Sequence, residues 1–258
     1  MSKQLRSRVV DLSTVPRHEK ECFLDHLYRA HTKIFETTTR EEFHDHIFRT
    51  NTAVARLLVL ENTTGAVVGY TGFYARFVTV NGRAVAVVSI PMGIERAYRR
   101  QTQHGLFLAQ EGLRFFASYP RANAYLFNAI VHPSSYLSMC RNLAQTYPHR
   151  LRESVSETEE LFIGIADALT LRRKTDAKSA LVRSVGGITR QTDSEKMYWR
   201  THIDPDVRFF IENNPTYEQG EGLLVGCPLT AANLLRSIAR FTNHRMSKLL
   251  ESAFVAKR

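Results

Sequence analysis

From Glu95 to Gly105 the chain gathers Arg96, Tyr98, Arg99, Arg100, Gln103 and His104 into one polar, basic stretch. Three arginines so close together call for an anion. Beyond Gly105, Leu106, Ala109, Leu113 and Phe116 recur at spacings of three and four, one face of an amphipathic helix. The first N–H groups of a helix have no internal partner, and the helix dipole is positive there. A basic turn that feeds such a helix start suits phosphate or pyrophosphate. Other chemistry-bearing residues are scattered. His44 and His46 stand among Glu41, Glu42 and Asp45, but residues two apart do not share a helix face, so a solvated face is expected there rather than a metal site. Cys140 follows Tyr136 by four on a helix, with no His/Asp arrangement to activate it. Cys22, Cys140 and Cys227 are odd in number and share no metal-like spacing, which argues against a disulfide framework or a zinc site, so no metal is expected.

The elements that must position these residues can be read from period and punctuation. Arg8 to Leu12 reads as a first strand. Glu19 to Phe35 carries Cys22, Phe23, Leu27, Ala30 and Ile34 at helical spacing. Thr39 and Glu42 form a capping box ahead of a second helix to about Arg49. Three strand-like runs follow, Val54–Leu60, Ala66–Val80 and Arg83–Ile90, the last two joined by Asn81-Gly82, a strong hairpin signal. Gly69 and Gly72 inside the long run predict a bulge or a close backbone neighbour. The helix from His104 to Ser118 precedes a buried strand, Ala124–Val131, which His132-Pro133 stops before a helix over Tyr136–Ala144. Later signals are a capping box at Ser156/Glu159, a strand at Leu181–Val185, a helix capped by Asp204-Pro205, a short strand at Gly222–Val225 and a helix at Thr230–Phe241.

Strand, Tyr98-Arg99-Arg100, Gln103, Gly105 and helix together resemble the signature of the GCN5-related N-acetyltransferase (GNAT) superfamily, as does the order of elements around them. The glycines depart from that signature, because Thr102 or Gln103 stands at the first glycine and His104 at the second in one of the two registers. The resemblance implies an α+β fold with a mixed, mostly antiparallel sheet flanked by helices. Residues 1–150 would form the GNAT-like core, with 151–258 as a C-terminal α/β extension packed on it. It implies N-acyl transfer from acetyl-coenzyme A or another acyl-coenzyme A to a small-molecule or peptide amine, by direct attack and without a metal. Cofactor binding would fall to Met92 and Ile94 on the strand and to Arg99, Arg100, Gln103, His104 and Gly105 on the turn. Glu95 or His132 would act as base and Tyr136 would protonate the departing thiolate. A backbone N–H between Ile90 and Gly93 would stabilise the oxyanion, and Pro91 has none to give. A non-catalytic GNAT-like binding module is the alternative.

Composition sets outer bounds. The 258 residues carry a net charge of +10 and are 43% hydrophobic, as in an ordinary globular protein. No apolar run reaches the roughly 20 residues of a membrane span, and the N-terminus has no secretory h-region, so the cytoplasm is expected. Basic charge attracts polyanions. No helix-turn-helix, zinc-finger or RNP pattern accompanies it, which argues against nucleic acid as a partner. An acidic acyl carrier protein is a second candidate donor, since replacing glycine crowds the backbone's approach to a pyrophosphate that a carrier lacks.

Overall fold

The structure, a computed structural model, describes residues 5–99, 104–152, 155–173, 179–240 and 242. The chain begins with β1 (Arg6–Asp11), α1 (Arg17–His31), a two-residue β2 (Phe35–Glu36) and α2 (Arg40–Ile47). The α2 capping box forms as expected, with Thr39 accepting from the Glu42 amide and the Glu42 carboxylate accepting from the Thr39 amide. In α1 the stripe is rotated: Leu24, Leu27, Ala30 and His31 are buried, whereas Cys22 is exposed. The helix also ends at His31, because Phe35 is drawn into β2 against Thr189.

Next come β3 (Val54–Glu61), β4 (Val67–Val80), β5 (Arg83–Ser89) and β6 (Met92–Ile94). Asn81 (φ 49°) and Gly82 (φ 75°) both occupy the left-handed region that a two-residue hairpin demands. The β3–β4 register slips beside Gly69. A Cβ on Gly69 would lie 2.9 Å from the Gly93 carbonyl oxygen and 3.1 Å from the Ile94 Cα, so its glycine admits β6. Both readings of that residue, bulge and close neighbour, hold.

Then follow α3 (His104–Ser118), β7 (Ala124–Ile130), α4 (Pro133–Asn142) and α5 (Ser156–Ala168). The length of α3 agrees with its periodicity but its face does not. Phe107, Glu111 and Phe115 point inward, while Leu106 and Leu113 are more than half exposed. Glu111 fixes this rotation, since its buried carboxylate meets Arg56 at 3.6 Å and Arg114 at 2.5 Å. The expected capping box of α5 is absent. Ser156 is already inside the helix, and the N-cap is Val155 with no side-chain bond.

The last elements are β8 (Arg172–Arg173), β9 (Val182–Ser184), β10 (Ile188–Thr189), α6 (Asp193–Arg200), α7 (Pro205–Asn213) and β11 (Glu221–Pro228), before helical residues 231–240. Sequence reading passed over α6, whose own capping box joins Thr192 and Glu195. The main sheet runs β1-β3-β4-β5-β7-β11-β9-β8, with β6 on β4. All its pairings are antiparallel except β5–β7. Residues past 150 enter the middle of this sheet, for β11 pairs with β7 from Leu223 to Pro228. Leu223, Leu224 and Val225 are all buried, as a strand covered on both faces must be. One apolar cluster joins Val85, Val87 and Phe127 to Phe162, Ile165 and Phe210. At roughly 1.5–3 kcal/mol per buried large apolar side chain, that shared core binds the C-terminal elements firmly to the rest.

Candidate active site

The site begins where two strands part. β5 and β7 run parallel and pair only over Ala86–Val88 and Ala124–Leu126. Past Val88 they separate, and the Asn128 side chain spans the opening by accepting the Ile90 N–H at 2.8 Å. β6 continues the β5 direction but pairs with β4 alone, over Gly69–Thr71. Gly72 N–H donates to the Pro91 carbonyl, and Glu95 N–H donates to the Val68 carbonyl. Antiparallel alternation then turns Gly93 toward Tyr70 and leaves the Met92 and Ile94 backbone groups on the far edge. The Ile94 carbonyl takes the Arg99 Nε at 3.3 Å. Within the expected Ile90–Gly93 window, Ile90 is therefore spent on Asn128, Pro91 has no donor and Gly93 faces β4. Met92 alone retains an N–H directed into the split.

The basic turn follows. Arg100 and Gln103 lie outside the described residues. Arg99 is exposed, though desolvation lowers its pKa, and Arg96 meets Glu195 of α6 at 3.2 Å. His104 and Gly105 open α3. His104 Nδ1 lies 2.6 Å from the Thr71 hydroxyl, and burial pushes its pKa down to about 4, so the ring is neutral near pH 7. Its Nε2 is buried and has no partner among the described residues. If Thr71 donates to Nδ1, the remaining Nε2–H is an unspent donor at the head of the helix.

The two sheet faces differ in what they carry. Val68, Phe73 and Ala75 of β4 pack with Phe107 and Phe115 of α3. Tyr70 and Tyr74 pack with Leu24 and Leu27 of α1 and Phe43 and Ile47 of α2. On this second face, a Cβ at Gly93 would meet the Phe35 and Tyr70 rings at 3.1 Å. The His31 Nδ1 lies 2.8 Å from the Tyr70 hydroxyl, its Nε2 has no partner, and burial lowers its pKa to about 4. Glu95, two residues beyond Gly93, pairs with Lys33 at 2.9 Å.

Several expected roles need correction. Tyr136 is fully buried between Phe209 and Phe210, and its hydroxyl donates to the Pro148 carbonyl. It ties α4 to α7 and faces no cleft. His132 is the N-cap of α4, its Nδ1 accepting the Ser134 N–H at 3.2 Å. Burial against Trp199 and Tyr217 lowers its pKa to about 4. A ring spent on capping is not positioned as the base. His46 does not lie on a solvated face: burial, then Arg49, hold its pKa well below 6.5. Cys140, His149 and Asp206 bring ligand atoms within 4.8 Å of one another, but Arg150 already holds the Asp206 carboxylate at 2.7 Å. Burial pushes the Cys140 thiol up to about 12, so it is no nucleophile at neutral pH. Among the described residues, no helix is long and apolar enough to cross a membrane.

Antiparallel strands, a helix, a parallel strand that splays from its neighbour and a further helix make an α+β fold with a mixed, mostly antiparallel sheet, in the order of elements that the GNAT resemblance implies. No protein-family model and no curated protein matches the sequence. Among solved structures, an aminoglycoside N-acetyltransferase in complex with CoA is 11% identical, covering 48% of this chain and 76% of its own, at a TM-score of 0.31. A putative phosphinothricin N-acetyltransferase is 20% identical over 58% and 90%, at 0.32. A GNAT-family acetyltransferase from Streptococcus pneumoniae is 12% identical over 59% and 94%, at 0.34. With overlaps this partial, the fold assignment rests on the strand order and the split.

Proposed function

We propose that the protein transfers an acyl group from acyl-coenzyme A to an amine by direct attack. The observation that carries this reading is the split itself: a free β6 edge with an unspent Met92 N–H, ending at a basic turn and a helix start. An extended pantetheine arm fits that edge as an added strand. The partnerless His104 Nε2 and Arg99 flank the place where its pyrophosphate would come to rest.

Each residue role follows from the chemistry. The amine nitrogen must be neutral to attack the thioester carbonyl, and Glu95 is the carboxylate on that side of the sheet, so it serves as the base. As the C–N bond forms, negative charge grows on the carbonyl oxygen, where the Met92 N–H stabilises it. The C–S bond then breaks, and the proton lost by nitrogen balances the one the thiolate gains. Coenzyme A is preferred over an acyl carrier protein as the donor form, because the turn retains Arg99 and an unspent buried donor for a pyrophosphate. The direct test is calorimetry with coenzyme A, followed by acyl transfer from acetyl-coenzyme A to a panel of amines. Binding below millimolar Kd supports the reading. No binding, or faster turnover with a carrier-bound thioester, defeats it.

A further inference from the structure

The face of the sheet that carries Glu95 also carries two cations with no counter-charge among the described residues. Arg49, just past α2, donates Nε to the His46 carbonyl at 2.9 Å and one terminal nitrogen to the Ser89 hydroxyl at 2.9 Å. Its other terminal nitrogen lies 3.1 Å from the His46 ring, and its plane sits 4.9 Å from the Tyr74 ring centroid. Every partner is neutral. A guanidinium has five N–H donors; the terminal nitrogen on Ser89 keeps a second N–H, while the other also lies 3.5 Å from the second ring nitrogen of His46. Arg76, two residues beyond Tyr74 on the same face, is half-buried and makes no ion pair among the described residues. Burial, with Arg76 nearby, lowers the Arg49 pKa to about 10, which leaves it charged near neutrality.

Position gives these arginines their meaning. Ser89 ends β5, and the next residue, Ile90, is the one whose N–H crosses the split to Asn128. Arg49 thus stands at the mouth of the opening, on the side away from α3 and the basic turn. Elsewhere partly buried arginines have carboxylates: Arg56 has Asp11 and Glu111, and Arg183 has Asp167. An unpaired charge held out of water is unfavourable unless something neutralises it. Resting on the acyl-transfer reading for what enters the split, we propose that the acceptor is an amine bearing an acidic group, a carboxylate or phosphonate, which Arg49 grips through its free N–H fork with Arg76 behind it. A bidentate guanidinium–carboxylate pair gives both strength and orientation.

The test uses N-acetyl amino acids spanning the range of side chains, each paired with its C-terminal amide, titrated by calorimetry into the full chain. At least one acid should bind ten-fold or more tightly than its amide, and Arg49→Gln should bring that ratio near one while leaving coenzyme A affinity unchanged. If Arg49→Gln does not fold, Arg49→Lys and Arg76→Gln replace it, each expected to reduce the ratio at least three-fold. Acids and amides that bind equally, or a preference that survives these changes, overturn the proposal. So would Arg49-dependent tightening of succinyl- over acetyl-coenzyme A without any acid preference, because the anion would then belong to the acyl group. Should coenzyme A fail to bind while the Arg49-dependent preference holds, acyl transfer falls and the anion subsite stands.

Discussion

The two faces of the central sheet treat their charges in opposite ways. On the α3 face, Glu111 is buried yet bonded to Arg56 and Arg114, and Asp11 adds a contact to Arg56 at 3.4 Å. These groups line an open cleft of about 380 Å³. On the α1/α2 face, Arg49 has neutral partners and Arg76, close enough to lower its pKa, makes no ion pair among the described residues. A satisfied network accompanies the helix rotation; the unsatisfied one is where the proposed anion would sit.

The largest effect is expected at the edge between the faces. Met92→Pro removes the Met92 N–H that faces the split, and edge strands tolerate proline where no ladder bond is lost. It should lower kcat about 10²–10³-fold, or about 2.7–4 kcal/mol, with donor affinity nearly unchanged. Full kcat would take the oxyanion role from Met92.

Next in size is a pH effect shared by both faces. His31 and His104 have folded pKa values near 4, below the ordinary 6.5. Between those values the unfolded chain binds protons that the folded chain does not. The stabilisation is complete above about pH 6.5 and lost as pH falls toward 4, by about 3 kcal/mol for each ring. Denaturant midpoints should drop across that window, and less steeply in His104→Gln. Equal slopes would mean that His104 titrates normally.

Glu95→Gln tests the α1/α2 face. With no base there, kcat/KM at neutral pH should fall about 10²-fold while coenzyme A affinity stays put. An unaffected rate would return the proton transfer to solvent.

Breaking the satisfied network should act on stability alone. Glu111→Gln leaves Arg56 with a weaker partner in a buried place and should cost about 1–3 kcal/mol in chemical unfolding. A change in donor affinity without a change in stability would show that the α3 face also binds.

The smallest change lies away from both faces. Tyr136→Phe deletes one buried hydrogen bond and should cost about 0.5–1.5 kcal/mol with kcat intact. A kcat loss near 10²-fold would restore Tyr136 as the thiolate's acid.

What the sequence determined was local. Asn81-Gly82, the Thr39–Glu42 box, Asp204-Pro205 and the extent of α3 were all legible, because turn chemistry, capping and period depend on near neighbours along the chain. The basic turn before α3 was legible for the same reason. What only the tertiary structure decided was which face of an element turns inward and which polar atom is already spent. The inward face of α3 was set by a contact between Glu111 and Arg56, 55 residues apart, and not by its leucines. Tyr136 looked catalytic until Pro148, Phe209 and Phe210 closed around it. Arg49 carried no motif at all, and Met92 entered only through the family resemblance, as a cofactor-binding residue. Arg49 is notable for the carboxylate it lacks, and Met92 for an N–H that no neighbour takes. Both properties are sums over partners from distant segments, and no window of sequence contains those partners together.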